Sequence, residues 1–179
     1  MAPVEYEQFQ AAVRASARAW HIELLDTYNV ESEDEPFQRF LSGSSDDYSW
    51  LTGWLTFVEE VTAAGTAVQR ARLVGRPHSD YTRWGLAIAE KLTAAGEDIR
   101  YLERTEAADI AFPQEDFWLF DDDRLILSVF SPDGRQGGFA LADDPDLLVH
   151  CRTVRDEVWS RATPYAQYVA GQPERDYGG

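Results

Sequence analysis

Apolar and polar positions alternate along this chain with two distinct periods. Between Tyr6 and Ala19, Phe9, Val13 and Ala17 recur at helical spacing and predict a first helix. Trp20, Ile22 and Leu24 then alternate with His21, Glu23 and Leu25, the pattern of a half-buried strand, with a continued helix as the alternative. The run Glu31-Ser32-Glu33-Asp34-Glu35-Pro36 predicts a solvated acidic loop, a short helix is expected at Phe37–Leu41, and Gly43–Asp47 reads as another loop.

A motif repeats in the middle of the chain. Thr62-Ala63-Ala64-Gly65 precedes the alternating run Val68–Val74, and 31 residues later Thr93-Ala94-Ala95-Gly96 precedes Ile99–Leu102. Each copy is the end of an apolar-periodic helix, a glycine suited to the left-handed helix stop, and a strand. The offset is about one strand–helix–strand unit, so the strands at 68–74 and 98–103 are expected to be parallel. The helix at about 80–95 should cross between them with the usual right hand.

Beyond Pro113 the pattern becomes antiparallel. Asp116–Phe120 and Arg124–Phe130 predict a hairpin about the turn Asp121-Asp122-Asp123. Ser131–Gly134 predicts a second turn, and Gly138–Leu141 a third strand. Asp143-Asp144-Pro145 opens a helix with an acidic cap and proline in the first turn. Leu147, Leu148, Cys151, Val154, Val158, Trp159 and Ala162 form its apolar stripe. The fold class is therefore mixed α/β (α+β). A central mixed sheet holds a parallel βαβ unit, then an antiparallel β-hairpin and a long C-terminal helix.

Composition narrows the function classes. With 32 acids against 16 bases among 179 residues the net charge is −16, which argues against unaided nucleic-acid binding and against anionic membranes. A basic protein partner or a cationic ligand is compatible with that charge, but high negative charge is also a common route to solubility, and that plainer reading is the favoured one. Lys91 is the only lysine and Cys151 the only cysteine, so neither an internal disulfide nor a thiolate cluster is expected. No apolar run approaches the roughly 20 residues of a membrane helix, and MAPVEYEQFQ lacks the features of a secretory signal. A cytoplasmic protein without a cofactor is the expectation.

Two resemblances add to this reading. The order helix–strand–helix–strand, hairpin and long helix over about residues 50–165 looks like half of a phospholipase D fold. That family's chemistry requires His, any residue, then Lys. Ala89 stands two before Lys91, so that chemistry is not expected. The segments Ala19–Leu24, His78–Trp84, Gly96–Arg100, Asp116–Asp121 and Val158–Ala162 are similar to an actinobacterial family catalogued as a domain of unknown function. Its genes often lie beside helix-turn-helix regulators. The resemblance implies a bacterial accessory protein and supplies no reaction. The domain layout expected is a helix and strand extension at 1–48, a phospholipase D-like core at 49–170 and a flexible tail at 171–179.

Three clusters are candidate sites. The loop Gly75-Arg76-Pro77-His78-Ser79-Asp80 leaves the first parallel strand, where open α/β sheets tend to bind ligands. Arg76 and His78 there, with Arg104 from the neighbouring strand end, suit a carboxylate or phosphate. The plainer alternative is that Ser79 or Asp80 caps a helix and His78 is a surface residue. Glu23 and Asp26 with His21 and Tyr28 offer acid/base groups or metal ligands. On a strand, however, 21 and 23 face oppositely to 26 and 28, and the three histidines lack metal spacing, so a polar face is the alternative and no metal is expected. Glu115-Asp116 with Asp121–Asp123 reads as a solvated turn rather than a cation loop. Trp84 and Trp118 are expected in the core, although a pocket lined by both would suit an aromatic ligand. The ligand-binding candidates are thus Arg76, His78, Ser79, Asp80, Arg83, Trp84, Arg104, Glu23 and Trp118, with no catalytic residue assigned.

The leading expectation is a non-catalytic regulatory or interaction protein, paired with a helix-turn-helix regulator or a neighbouring small protein and able to sense a small ligand. The alternatives are a small-molecule enzyme using His78, Asp80, Arg83 and Glu23, and one component of a toxin–antitoxin or immunity pair.

Overall fold

The computed structural model describes residues 1–131 and 135–172. Most of the turn expected at Ser131–Gly134 and most of the tail expected at 171–179 lie outside them. Among the described residues eight strands form one sheet: β1 (Ala2–Val4), β2 (Arg18–Glu23), β3 (Ala67–Val74), β4 (Asp98–Glu103), β5 (Asp116–Phe120), β6 (Arg124–Phe130), β7 (Gln136–Ala142) and β8 (Thr163–Pro164). Their order across the sheet is β1-β7-β6-β5-β2-β3-β4-β8. β2–β3 and β3–β4 are parallel, while β2–β5, β5–β6 and β6–β7 are antiparallel. The mixed sheet is therefore as expected, and β2 is the seam between its two halves. Residues 1–48 supply that central strand as well as β1 at one edge.

Helices lie on both faces. α1 (Tyr6–Arg14), α2 (Asp34–Leu41), α3 (Thr52–Ala63) and α4 (Asp80–Ala94) cover one, and α5 (Pro145–Arg161) covers the other. Trp20 and Ile22 of β2, Ala71 and Leu73 of β3, and Phe117 and Leu119 of β5 turn to α5 and pack on Cys151, Val154 and Val158. Burial in this apolar layer raises the Cys151 thiol to about 12, so it is an inert small hydrophobe. Asp144 caps α5 by accepting from the Asp146 and Leu147 amides, with Pro145 in the first turn.

The two repeat motifs end α3 and α4 alike. Gly65 and Gly96 take φ of 105° and 109°, a region where a side chain is strained. They also pack together: Thr62 Oγ1 donates to the Ala95 carbonyl at 3.3 Å.

One local expectation needs correction. The acidic run is not a loop: Glu31–Glu33 forms a 3-10 turn, and Asp34, Glu35 and Pro36 make the first turn of α2. Proline is tolerated there because first-turn amides lack helical acceptors, and acids favour the helix N-terminus. After the long helix ends at Arg161, a short helix, α6 (Tyr165–Ala170), follows Pro164 and buries Tyr168 against β4.

Candidate functional site

Side-chain alternation decides what lies under α1, α3 and α4. Because Trp20 and Ile22 face α5, His21 and Glu23 face the other way; because Ala71 and Leu73 face α5, Arg70 and Arg72 also face the other way. Register then aligns two rows across the sheet. Arg70, His21 and Trp118 are successive partners, and Arg72 pairs with Glu23 on one side and Tyr101 on the other. Asp116 of β5 faces Ser128 of β6, and its Oδ1 accepts from the Leu24 amide at 2.9 Å, bringing it beside the end of β2.

These rows are the floor of a cavity of about 340 Å³. Its walls are aromatic: Trp50, Trp54, Tyr81, Trp84, Tyr28 and Phe130. Trp50 stacks on Trp84 with centroids 5.5 Å apart, and the His21 imidazole stacks on Trp118 at 4.3 Å and 4°. Gly85 of α4 makes room at the floor, because a Cβ there would lie 2.0 Å from Arg72 Nη1.

Buried charge on the floor is paired. Arg70 Nε meets Glu97 Oε1 at 2.6 Å, and both Arg70 and Arg72 ion-pair with Glu23. Burial alone would raise the Glu23 carboxyl, but Arg72 and Arg70 overcome it and hold Glu23 below the usual range. Burial, reinforced by the two guanidinium charges, lowers His21 to about 3, so its ring is neutral at physiological pH. Neither His21 nitrogen has a hydrogen-bond partner although the residue is 7% exposed.

Two further carboxyls, within the field of Arg72, form no ion pair with the arginines among the described residues. Asp116 Oδ2 accepts from the Tyr28 hydroxyl at 2.6 Å, and Glu33 accepts from the Tyr81 hydroxyl. Burial raises both, Asp116 to about 7 against the opposing hydrogen bonds from Tyr28 and the Leu24 amide. Among the described residues no group of three or more His, Cys, Asp or Glu is arranged to hold a metal ion, and no helix is long and apolar enough to cross a membrane.

A family model matches residues 7–170 with the description "Domain of unknown function (DUF6879)". The chain belongs to the DUF6879 family. No curated protein matches it.

The nine candidate residues separate into two places in this DUF6879 domain. Glu23, Trp84 and Trp118 line the cavity, together with His21 and Tyr28 from the second cluster and Asp116 from the third. Arg76, His78, Ser79, Asp80, Arg83 and Arg104 do not. Ser79 caps α4 through the Thr82 amide, and Arg83 pairs with Asp80 on the surface. Arg76 pairs with Glu103, and buried His78 bonds the Tyr168 hydroxyl at 2.8 Å. Asp26 binds the Gly75 amide at 2.8 Å and Arg104 Nε at 2.9 Å, so it clasps the strand-end loops instead of joining Glu23. Asp121 and Asp122 serve as anchors, Asp121 for the Ala17 and Arg18 amides and Asp122 for Arg18 and Arg155.

Arg70 and Arg72 are the arginines that line the cavity, and sequence reading missed them. Their signal was an Arg-x-Arg pair inside a central parallel strand, where both faces are normally apolar. Glu33, Tyr81 and Trp50 were missed for a different reason: nothing local shows that the acidic run and α4 meet over β2 and β3.

Proposed function

We propose that this DUF6879 domain is a non-catalytic, ligand-sensing regulatory protein of the cytoplasm, whose cavity beneath α3 and α4 binds a small aromatic molecule. One observation carries the reading: a cavity of about 340 Å³ is walled by tryptophan and tyrosine over a polar floor whose His21 has no hydrogen-bond partner. Binding sites combine this apolar wall with a few convergent polar groups. Binding is favoured over catalysis because His21 has no acid or hydroxyl to orient it, and a general base requires such a partner. His78, Asp80 and Arg83, the groups the enzyme alternative needs beside Glu23, lie outside the cavity. The acidic surface supports output through a basic face of a partner protein, for which a transcription regulator is our candidate.

The test is titration with indole, a neutral aromatic probe of suitable size, followed by the indole N–H signals of the protein in NMR. Saturable shifts confined to Trp50, Trp54, Trp84 and Trp118 are expected, with Trp20 and Trp159 unmoved because Trp20 packs under α5 and Trp159 belongs to α5, on the other face of the sheet. Uniform or non-saturating shifts would remove the basis for a ligand-sensing role.

A further inference from the structure

The charges around the cavity do not balance. Arg70 and Arg72 face Glu23 and Glu97, two cations for two carboxylates, and each arginine is engaged by at least one of them. Glu97 lies beneath the floor with its side chain fully buried, and Trp54 Nε1 approaches it at 3.5 Å. Glu33 and Asp116 are left over. Their partners among the described residues are the Tyr81 and Tyr28 hydroxyls and the Leu24 amide, none of which carries a positive charge. The two tyrosines are neighbours, with ring centroids 5.7 Å apart, so Asp116, Tyr28, Tyr81 and Glu33 form a continuous chain of groups at the cavity wall.

A buried carboxylate without a cation is costly, which is why these groups hold on to a proton, and a cationic ligand that takes the proton's place makes the carboxylate form favourable. The same wall is lined by Tyr28, Tyr81, Trp50 and Trp84, aromatic rings of the kind that attract cations through the ring quadrupole. His21 gives independent support. It is buried, it lines the cavity, and neither of its nitrogens is bonded; a neutral imidazole there offers an acceptor to an N–H group. The excess of acids over bases in the whole chain draws cations toward the molecule and repels anions.

We infer that the cavity selects an aromatic amine in its ammonium form, with the ring among Trp50, Trp84 and Trp118 and the ammonium held by Asp116 and Glu33. This rests on the ligand-binding reading above and adds the charge of the ligand. An aromatic carboxylate is disfavoured because both guanidinium groups are already committed to Glu23 and Glu97.

Three probes of similar shape test it: 2-phenylethylammonium, neutral 3-phenylpropanol and 3-phenylpropionate, each titrated while the same tryptophan signals are followed. The ammonium is expected to bind at least tenfold more tightly than the alcohol, and the carboxylate more weakly than either. Asp116→Asn keeps the shape and an acceptor for the Leu24 amide; it should erase most of the ammonium preference, read as the ratio of ammonium to alcohol affinity within the same variant. Glu33→Gln should act in the same direction. If indole saturates the signals but the ammonium binds no better than the alcohol, the amine assignment fails and the cavity reading stands. If the ammonium preference survives both substitutions, the assignment to these carboxylates is overturned. If none of the four probes saturates the signals, both readings fall.

Discussion

The Asp116 carboxyl should make the folded protein lose stability as pH rises. In the folded chain burial places it near 7, against about 4 in an unfolded chain. Between those values the native state holds a proton that the unfolded state has released, so the slope of stability against pH is negative. From pH 5 to pH 8.5 the wild type should lose about 3 kcal/mol from this group alone. Charged and titratable groups around it include Tyr28, Glu23 and Arg72, and Glu23 titrates well below this window. Asp116→Asn removes the titration while retaining the acceptor for Leu24. Urea unfolding of both proteins at half-unit pH steps should show the variant gaining on the wild type by about 3 kcal/mol across the window. The difference is insensitive to any pH-independent cost of the substitution. Curves that stay parallel within about 0.5 kcal/mol would mean that Asp116 is not the desolvated acid described here.

Other substitutions probe the rest of the architecture. Gly85→Ala drives a methyl into Arg72 Nη1 and should cost about 2–3 kcal/mol in urea unfolding while weakening indole binding, because Arg72 is held by Glu23 and cannot swing away. Glu97→Gln, which uncouples the fully buried partner of Arg70, should cost on the order of 3 kcal/mol, whereas Asp80→Asn at the exposed Arg83 pair should stay below about 0.5 kcal/mol. Equal effects from those two would contradict the burial described for the floor. Tyr168→Phe removes the hydroxyl bonded to His78 and should cost about 1 kcal/mol without changing indole affinity. A large affinity loss there would return the 75–80 loop to the binding site.

The sheet was largely legible in the sequence and the site only partly so, for physical reasons. The glycine stops at 65 and 96, the hairpin and the cap at Asp144 are local signals, readable within a few residues. The central position of β2 is not local, since its pairing with β5 joins segments about a hundred residues apart. That pairing brings Asp116 to Leu24 and Tyr28 and joins parts of two separate candidate clusters in one wall, while the 75–80 loop stays outside it. His78 illustrates the converse. The rule that ligands sit beyond strand ends is sound for open sheets, but Tyr168 of the unforeseen α6 already occupies its hydrogen-bonding reach. Glu33 was hidden because an acidic run looks solvated until a tyrosine from another helix is shown to cover it.

The seam at β2 also bears on how the chain reaches this state. Its parallel neighbour β3 emerges from a ribosome some fifty residues after it, but the antiparallel neighbour β5 only after about a hundred. Until then the β5-facing edge of β2, with Trp20 and Ile22 beside it, is an open strand edge able to pair with another chain. Fragments ending before residue 116 should therefore associate or aggregate, and refolding of the whole chain should be paced by this one long-range closure.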